Sequence, residues 1–149
     1  MTYYFYDTET SGMDPRTQRI MQFAGIRTDE DFNPLSEADV FYVQLDEDVL
    51  PDPESLVVTG IMPKDVEDGL SQSELVTKLK QDILTPETIL IGYNNFSFDD
   101  EFLRYTFYRN LEDPYEHEWA DGRSRWDLVH IARMMRAISP KDFKWPAVN

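Results

Sequence analysis

The sequence predicts an α/β domain, and three observations lead to that prediction. Three runs with the alternation and composition of β-strands come first, and the short links between them favour an antiparallel meander. An amphipathic helix pattern then precedes a short apolar run typical of a buried strand, and a second helix pattern follows that run. Strands followed by helix, strand and helix indicate helices layered against one sheet. The 149 residues suffice for one domain with a sizeable core.

The meander occupies the first third of the chain. Its strands are predicted at about Tyr3 to Asp7, Ile20 to Thr28 and Asp39 to Leu45. The stretch DEDVLPDPESL that follows is polar and contains proline, so we expect a loop there. The segment KDVEDGL comes after Met62 and Pro63 and is expected to form a short helix with proline in its first turn.

Helices and a strand alternate in the second half. Leucine and isoleucine recur four residues apart after Ser71, which, like Ser73, is a plausible helix N-cap. The predicted elements are helices over Ser71 to Leu84, Phe98 to Asn110 and Trp126 to Ile138, a strand over Thr88 to Tyr93, and a loop over Asp113 to Gly122.

Composition limits the classes of protein to consider. A hydrophobic content of 41% is typical of a packed globular chain. Because there is no cysteine, a disulfide framework and a thiolate metal site are excluded, and a reducing cytoplasm is the expected location. We find no secretion signal and no run of 18 apolar residues, so no membrane partner is expected.

The net charge of −15 disfavours nucleic-acid binding by the chain as a whole, since phosphate contacts come from lysine and arginine. The charge is unevenly distributed, however. Residues 1–100 hold 21 acids and 6 bases, whereas residues 101–149 hold 8 of each. The last third can therefore present a local basic track.

Two acids stand at the end of the first predicted strand, Asp7 and Glu9. Residues two apart on a strand point to the same face, so both carboxylates project together. Two close carboxylates repel unless a cation lies between them, and their hard oxygens favour magnesium or manganese. The alternative is that they cap the following turn TSGMDP, and the spacing fits both interpretations.

A third acid, Asp99, opens the helix that follows the predicted buried strand. An acid at that place often only complements the helix dipole. If the two strand ends are neighbours in the sheet, Asp99 joins Asp7 and Glu9, and three carboxylates can hold two divalent ions that act on a phosphodiester.

These motifs carry a family resemblance. DTETSG and GYNNFSFDDEFL resemble the first two motifs of the DEDD family of 3′–5′ exonucleases, which have an RNase H-like fold, and VVTGIMPKDV resembles a Gly-Ile-Thr segment common in that family. The stretches NNFSFDDEFLRYTFYRNLEDPYEHEW and SRWDLVHIARMMRA are similar to the bacterial exonuclease I branch. The resemblance runs from Phe5 to Trp145.

The resemblance implies stepwise hydrolysis of single-stranded DNA from its 3′ end to mononucleotides, in DNA repair and recombination, with two Mg²⁺ (or Mn²⁺) ions. It makes Asp7 and Glu9 the metal ligands of the first motif and Asp99 the acid of the second. The backbone from Thr8 to Ser11 would lie near the terminal nucleotide. Single-stranded DNA is the implied partner, together with a single-strand DNA-binding protein that would bind parts outside this chain.

The third motif of the family, His followed after four residues by Asp, is not found. His117 precedes Asp121, which is one residue too close, and His130 precedes Met135 where the acid should be. The resemblance thus implies an N-terminal fragment, with one strand and one helix of the RNase H-like fold missing and little activity of its own.

Arginine and aromatic residues interleave in the last third, a composition that suits single-stranded DNA. Tyr105 and Trp126 are expected to face the core. Besides Thr8, the residues predicted to contact DNA, partly because matching positions do so in the family, are Arg104, Tyr115, Trp119, Arg125 and Arg133.

Two other functions were weighed. A phosphatase of the haloacid dehalogenase type also begins with an acid pair after its first strand, but it needs Asp where Glu9 stands and a parallel sheet from the start. A non-catalytic module that binds single strands or a protein stays open, because the third motif is missing.

Overall fold

A mixed sheet of five strands organises the chain, and the computed structural model describes residues 1–144. In the order β3-β2-β1-β4-β5, strand β2 is antiparallel to both β3 and β1, whereas β4 runs parallel to β1 and β5 parallel to β4. The α/β class, the meander and the RNase H-like arrangement are confirmed. The strands are β1 (Thr2–Thr10), β2 (Ile20–Thr28), β3 (Asp39–Tyr42), β4 (Thr88–Gly92) and β5 (Ser124–Asp127).

Four α-helices accompany the sheet within the described residues, and none of them is long and apolar enough to cross a membrane. Short 3₁₀ turns lie at Pro63–Asp65, Asn95–Ser97, Glu116–Glu118 and Ala120–Gly122. The helices are α1 (Pro53–Thr59), α2 (Gln72–Lys78, continued by a π-helical turn over Leu79–Ile83), α3 (Asp99–Arg109) and α4 (Leu128–Ile138).

The start of α2 follows from its sequence. The Ser71 hydroxyl accepts a hydrogen bond from the Glu74 N–H at 3.2 Å, and the Glu74 carboxylate accepts one from the Ser71 N–H at 2.8 Å. This reciprocal capping box satisfies two N–H groups that a helix leaves free, and it makes Ser71 the N-cap.

Two elements were missed by the sequence reasoning. Helix α1 begins at Pro53, inside the stretch expected to be a loop, and it has no buried residue, so no apolar stripe marked it. Strand β5 pairs in parallel with β4, which makes Trp126 a strand residue and gives the sheet the further strand thought to be missing. β5 is only four residues long, and its side chains give no alternating burial.

One smaller difference concerns β3, which ends at Tyr42 and not at Leu45. Just beyond Tyr42, the Val43 N–H still donates to the Met21 carbonyl on β2 at 2.8 Å, and Val43 also forms a bridge with Leu70, the residue before the N-cap of α2. The regular pairing of the edge strand with β2 therefore ends earlier than its composition suggested.

The main core lies between the sheet and helices α2 and α3. Alternation along β1 points Tyr4, Tyr6 and Thr8 to this side. The other face of β1 carries Tyr3, Phe5, Asp7 and Glu9, none of which is fully buried. Both acids therefore lie on the open face of the sheet. The core members on the helix side include Phe23, Leu75, Leu79, Phe102, Leu103 and Phe107.

A network of charged groups fastens the start of α3 to the sheet. The buried Asp100 carboxylate accepts hydrogen bonds from the Tyr6 hydroxyl on β1 and from the Arg125 guanidinium on β5. Arg125 also contacts Glu118 at 3.2 Å, which in turn accepts hydrogen bonds from Arg104 at 2.6 and 3.0 Å. Removing the cation from a buried ion pair leaves an uncompensated charge, so the network depends on its arginines.

Replacing Arg125 by alanine is expected to destabilise the fold, because Asp100 would be left buried without its cation. Removal of one partner from a buried pair costs about 3 kcal/mol or more in the free energy of unfolding. Arg133→Ala is the matched control, since Arg133 is exposed on α4 and should cost less than about 0.5 kcal/mol. Urea unfolding of both variants checks this, and equal losses would contradict the assigned role of Arg125.

His117 belongs to this core. It is 4% exposed, and its ring stacks on Phe107 with 4.7 Å between centroids and 9° between planes. Burial lowers the pKa of His117 from 6.5 to about 4, because a charged imidazole would lose its hydration there.

This shift predicts a loss of stability in mild acid. The unfolded chain takes up a proton on His117 near pH 6.5 while the folded chain stays neutral down to about pH 4, so stability falls as the pH drops through this window. Between pH 7 and pH 5 the change amounts to about 2 kcal/mol from His117 alone. Urea unfolding at both pH values should show this part of the loss disappear in His117→Gln. It should persist in His130→Gln, because His130 is half exposed on α4; an unchanged pH dependence in His117→Gln would refute the prediction.

Candidate active site

The acid pair predicted from the sequence lies on one face of β1. Asp7 is exposed and Glu9 is half-buried, and the strand continues past both of them to Thr10. Within residues 1–144 neither carboxylate accepts a hydrogen bond, whereas Asp14 accepts bonds from the Arg16 backbone and side chain in the turn that follows. The capping alternative is therefore not what the structure shows.

Asp99 reaches the same end of the sheet from β4. Because β4 is parallel to β1 and beside it, their carboxyl ends meet at one edge, and a six-residue loop leads from Gly92 to the start of α3. One oxygen of the buried Asp99 carboxylate accepts hydrogen bonds from the Thr8 N–H at 3.0 Å and from the Thr8 hydroxyl. The second-motif acid is thus held against the residue that separates Asp7 from Glu9.

The three carboxylates influence one another electrostatically. Burial raises the pKa of Asp99 to about 6, the negative charge of Asp7 adds to this rise, and the bonds from Thr8 oppose it. Burial raises the pKa of Glu9 as well, again with a contribution from Asp7. Asp7 therefore repels both other acids, and a cation at this edge would relieve the repulsion.

The donor set fits a hard divalent ion, although the three acids are not yet gathered around one point. All the candidate ligands are carboxylate oxygens, which magnesium and manganese prefer, and Asp7 is open to solvent. Among the described residues no three acidic or histidine side chains are grouped closely enough to hold a metal ion.

The residues predicted to contact DNA fall into two groups. Arg104 and Arg125 are engaged inside the protein with Glu101, Glu118 and Asp100, and the Thr8 side chain is buried against Asp99. By contrast, the exposed members of the set are Tyr115, Trp119 and Arg133.

Three tyrosines, Tyr115 among them, line a surface pocket beside α3. The Arg104 guanidinium stacks over the Tyr115 ring with 5.0 Å to the centroid. Together with Tyr105 and Tyr108 they border a cavity of about 490 Å³. Tyr105 is half-buried, and the expectation that Trp126 faces the core is wrong, since its side chain on β5 is 53% exposed.

Neither histidine is placed as a base near the acid pair. His117 is enclosed beside Phe107, as expected of a chance match to the motif, and His130 lies on the surface of α4 with Nε2 3.9 Å from the Asp127 carboxylate. Neither histidine within residues 1–144 is therefore placed to serve as the base expected from the third motif.

Sequence reasoning missed two residues that support the site, Asp100 and Asp127. Both are buried acids, and both were inside the stretches that carry the family resemblance. Asp127 stands between a strand and a helix, the usual place of an N-cap, which is a signal the sequence does contain. Its further contacts to a distant loop have no such signal.

Comparison with known proteins bears directly on this geometry. The family described as Exonuclease matches residues 4–145; Trp145, where the resemblance was expected to end, lies outside the described residues. The chain is 46% identical over 145 residues to exodeoxyribonuclease I of Haemophilus influenzae, a match covering 97% of this chain and 31% of that protein.

Solved structures agree. Exonuclease I from Methylocaldum szegediense superposes with a TM-score of 0.92 at 46% identity, covering 98% of this chain and 32% of that one. The zinc-bound complex of Escherichia coli exonuclease I with single-stranded DNA gives a TM-score of 0.92 at 40% identity, covering 97% and 31%.

The chain thus spans about a third of the length of these relatives. The match includes strand β1 with Asp7 and Glu9 and the helix that begins at Asp99. On the motifs, the topology and these similarities, the chain belongs to the exonuclease family.

Proposed function

We propose that this chain carries the carboxylate part of the active site of a metal-dependent 3′–5′ exonuclease, which hydrolyses single-stranded DNA to mononucleotides in repair and recombination. The observation that carries the proposal is the contact of Asp99 with Thr8, which sets the second-motif acid beside Asp7 and Glu9. The similarity to exodeoxyribonuclease I supports DNA as the substrate. The complex of a relative with single-stranded DNA supports a single-stranded substrate.

Asp7, Glu9 and Asp99 would hold the divalent ions, magnesium or manganese, with two ions in the complete site. Such ions, when bound, activate water and neutralise charge on the phosphodiester. Thr8 keeps one oxygen of Asp99 occupied and so orients the other oxygen of that carboxylate. The exposed Asp7 leaves room for the negatively charged substrate to approach once a cation has offset the acids.

The general base and the last acidic ligand belong, on this proposal, to parts of a longer protein. His117 is enclosed in the core and His130 is on the surface of α4, so neither of them fills the role. A missing general base costs about 10²–10⁴ in rate, and we expect this chain alone to be nearly inactive. Cytoplasmic location and contact with a single-strand DNA-binding protein remain predictions.

A non-catalytic module that binds single strands is the second candidate. It is favoured by the observation that no three acids or histidines within residues 1–144 already form a metal-holding group. The exposed Tyr115, Trp119 and Arg133 serve either function. Activity in a longer chain separates the two candidates.

Asp7→Asn tests the metal site. The test uses a longer chain that includes the third motif, His followed after four residues by Asp. The extended chain should shorten a 5′-labelled single-stranded oligonucleotide from its 3′ end in magnesium, and a chelator should stop it. Because Asp7 is the exposed ligand, its loss should lower the rate by more than about 10²-fold.

Asp31→Asn is the matched control for this experiment. Asp31 is an exposed acid in the turn after β2, at the opposite end of β1 from the acid pair, and its replacement should leave the rate unchanged. An extended chain that binds the oligonucleotide but never cuts it would favour the non-catalytic binding module over the exonuclease.

The salt dependence of oligonucleotide binding tests the exposed track, which consists of Tyr115, Trp119 and Arg133. If Arg133 meets a phosphate, Arg133→Ala should reduce the slope of log K against log salt by roughly 0.7. Trp119→Ala should instead weaken binding by about 1–3 kcal/mol with the slope unchanged, because Trp119 is 65% exposed and would stack on a base. Fluorescence anisotropy at several salt concentrations measures both quantities, and an unchanged slope in Arg133→Ala would remove Arg133 from the track.

A further inference from the structure

Asp127, the last residue of β5, is a buried acid with an unusual set of partners. It is 1% exposed, and its carboxylate accepts three backbone hydrogen bonds, from the N–H groups of Asn94 at 2.8 Å, Phe96 at 3.2 Å and Val129 at 2.9 Å. Only the bond from Val129 belongs to the N-terminus of α4, which Asp127 caps. The other two bonds go to the loop between β4 and α3.

Backbone amides take the place of a cation around this carboxylate. Among the described residues, the basic group within 4 Å of this carboxylate is the half-exposed His130, whose Nε2 lies 3.9 Å away. Several N–H bonds and a helix N-terminus stabilise a buried carboxylate in its charged form. Moving the loop away would remove the bonds from Asn94 and Phe96 and leave a buried oxygen of Asp127 without a donor.

The loop held by Asp127 sets where α3 begins. Asn94 has the left-handed φ of 63°, and the 3₁₀ turn Asn95–Ser97 follows it directly. Gly92 allows this close turn, because a Cβ there would lie 2.6 Å from the Asn95 Cβ. Fixing Asn94 and Phe96 fixes the path to Asp99, the first residue of the helix.

Strand β5 holds this region at two points. Arg125 and Asp127 are two residues apart and so project to the same side of the strand. Arg125 binds Asp100, the residue after Asp99, and Asp127 binds the loop before it. Asp99 lies between these two attachments, where its carboxylate meets Thr8.

We propose that Asp127 is a positioning residue of the site: its bonds to the Asn94 and Phe96 amides hold Asp99 against Thr8, beside Asp7 and Glu9. The consequence for metal binding rests on the proposed function. The effect on the position of Asp99 does not rest on the proposed function. It can be measured at Thr8, because the Thr8 N–H donates directly to the Asp99 carboxylate.

Two variants separate the loop contacts from helix capping. Asp127→Asn retains one acceptor oxygen and places an NH₂ group where the other was, so it cannot serve both loop amides and Val129. Asp127→Ser remains a good N-cap for α4 but is too short to reach the loop. Ser71→Ala is the matched control, because it removes the N-cap of α2 without touching the β4–α3 loop.

The measurements are amide hydrogen exchange at Thr8, manganese affinity and urea unfolding, all on this chain. We expect Thr8 exchange to become about tenfold faster and the manganese dissociation constant to rise about tenfold in both Asp127 variants, as is usual for residues that support metal ligands. Ser71→Ala should change neither quantity at a similar loss of stability.

Wild-type exchange at Thr8 in the Asp127 variants would overturn the proposal, and so would an effect matched by Ser71→Ala. If Asp127→Asn does not fold, Asp127→Ser decides alone. Should the wild-type chain bind no manganese, exchange at Thr8 alone decides whether Asp127 positions Asp99, and the proposed function is decided separately by the activity of the extended chain.

Discussion

The parallel pairing of β4 with β1 is the constraint on which the rest of the site depends. The register from Thr2↔Thr88 to Phe5↔Ile91 sets the end of β4 beside the middle of β1, and Asp7 and Glu9 follow on β1. Only with that alignment can a short loop bring Asp99 onto Thr8. An antiparallel β4 would send its carboxyl end to the opposite edge, and the two motifs would not meet.

The alignment concentrates negative charge, and the protein offsets it in two different ways. On the helix side of the sheet, Asp100 and Glu118 are paired with Arg104 and Arg125. On the open face, Asp7 and Glu9 have no such partners within residues 1–144. A folded domain tolerates unpaired acids where water or a cation can reach them, and these two acids of the open face are the ones for which we propose metal binding.

The ion pairs formed by the arginines also change the interpretation of the charge distribution. Residues 101–149 carry as many bases as acids, which pointed to a basic surface. Several of those arginines instead hold the fold together: Arg104 and Arg125 in the network, and Arg123 through the Leu84 and His117 carbonyls. The surface left for a nucleic acid is smaller and more aromatic than composition indicated.

Local pattern alone determined β1, β2, β4, α2 and α3, and it put Asp7 and Glu9 on one face, because period and capping are properties of neighbouring residues. Tertiary structure alone decided the remainder. Strand β5 exists through its pairing with β4, and the bond from Thr8 to Asp99 joins residues 91 apart. Whether an arginine forms an internal ion pair or stays exposed depends on which acid the fold brings near it. Local sequence periodicity does not encode contacts between residues so far apart in the chain.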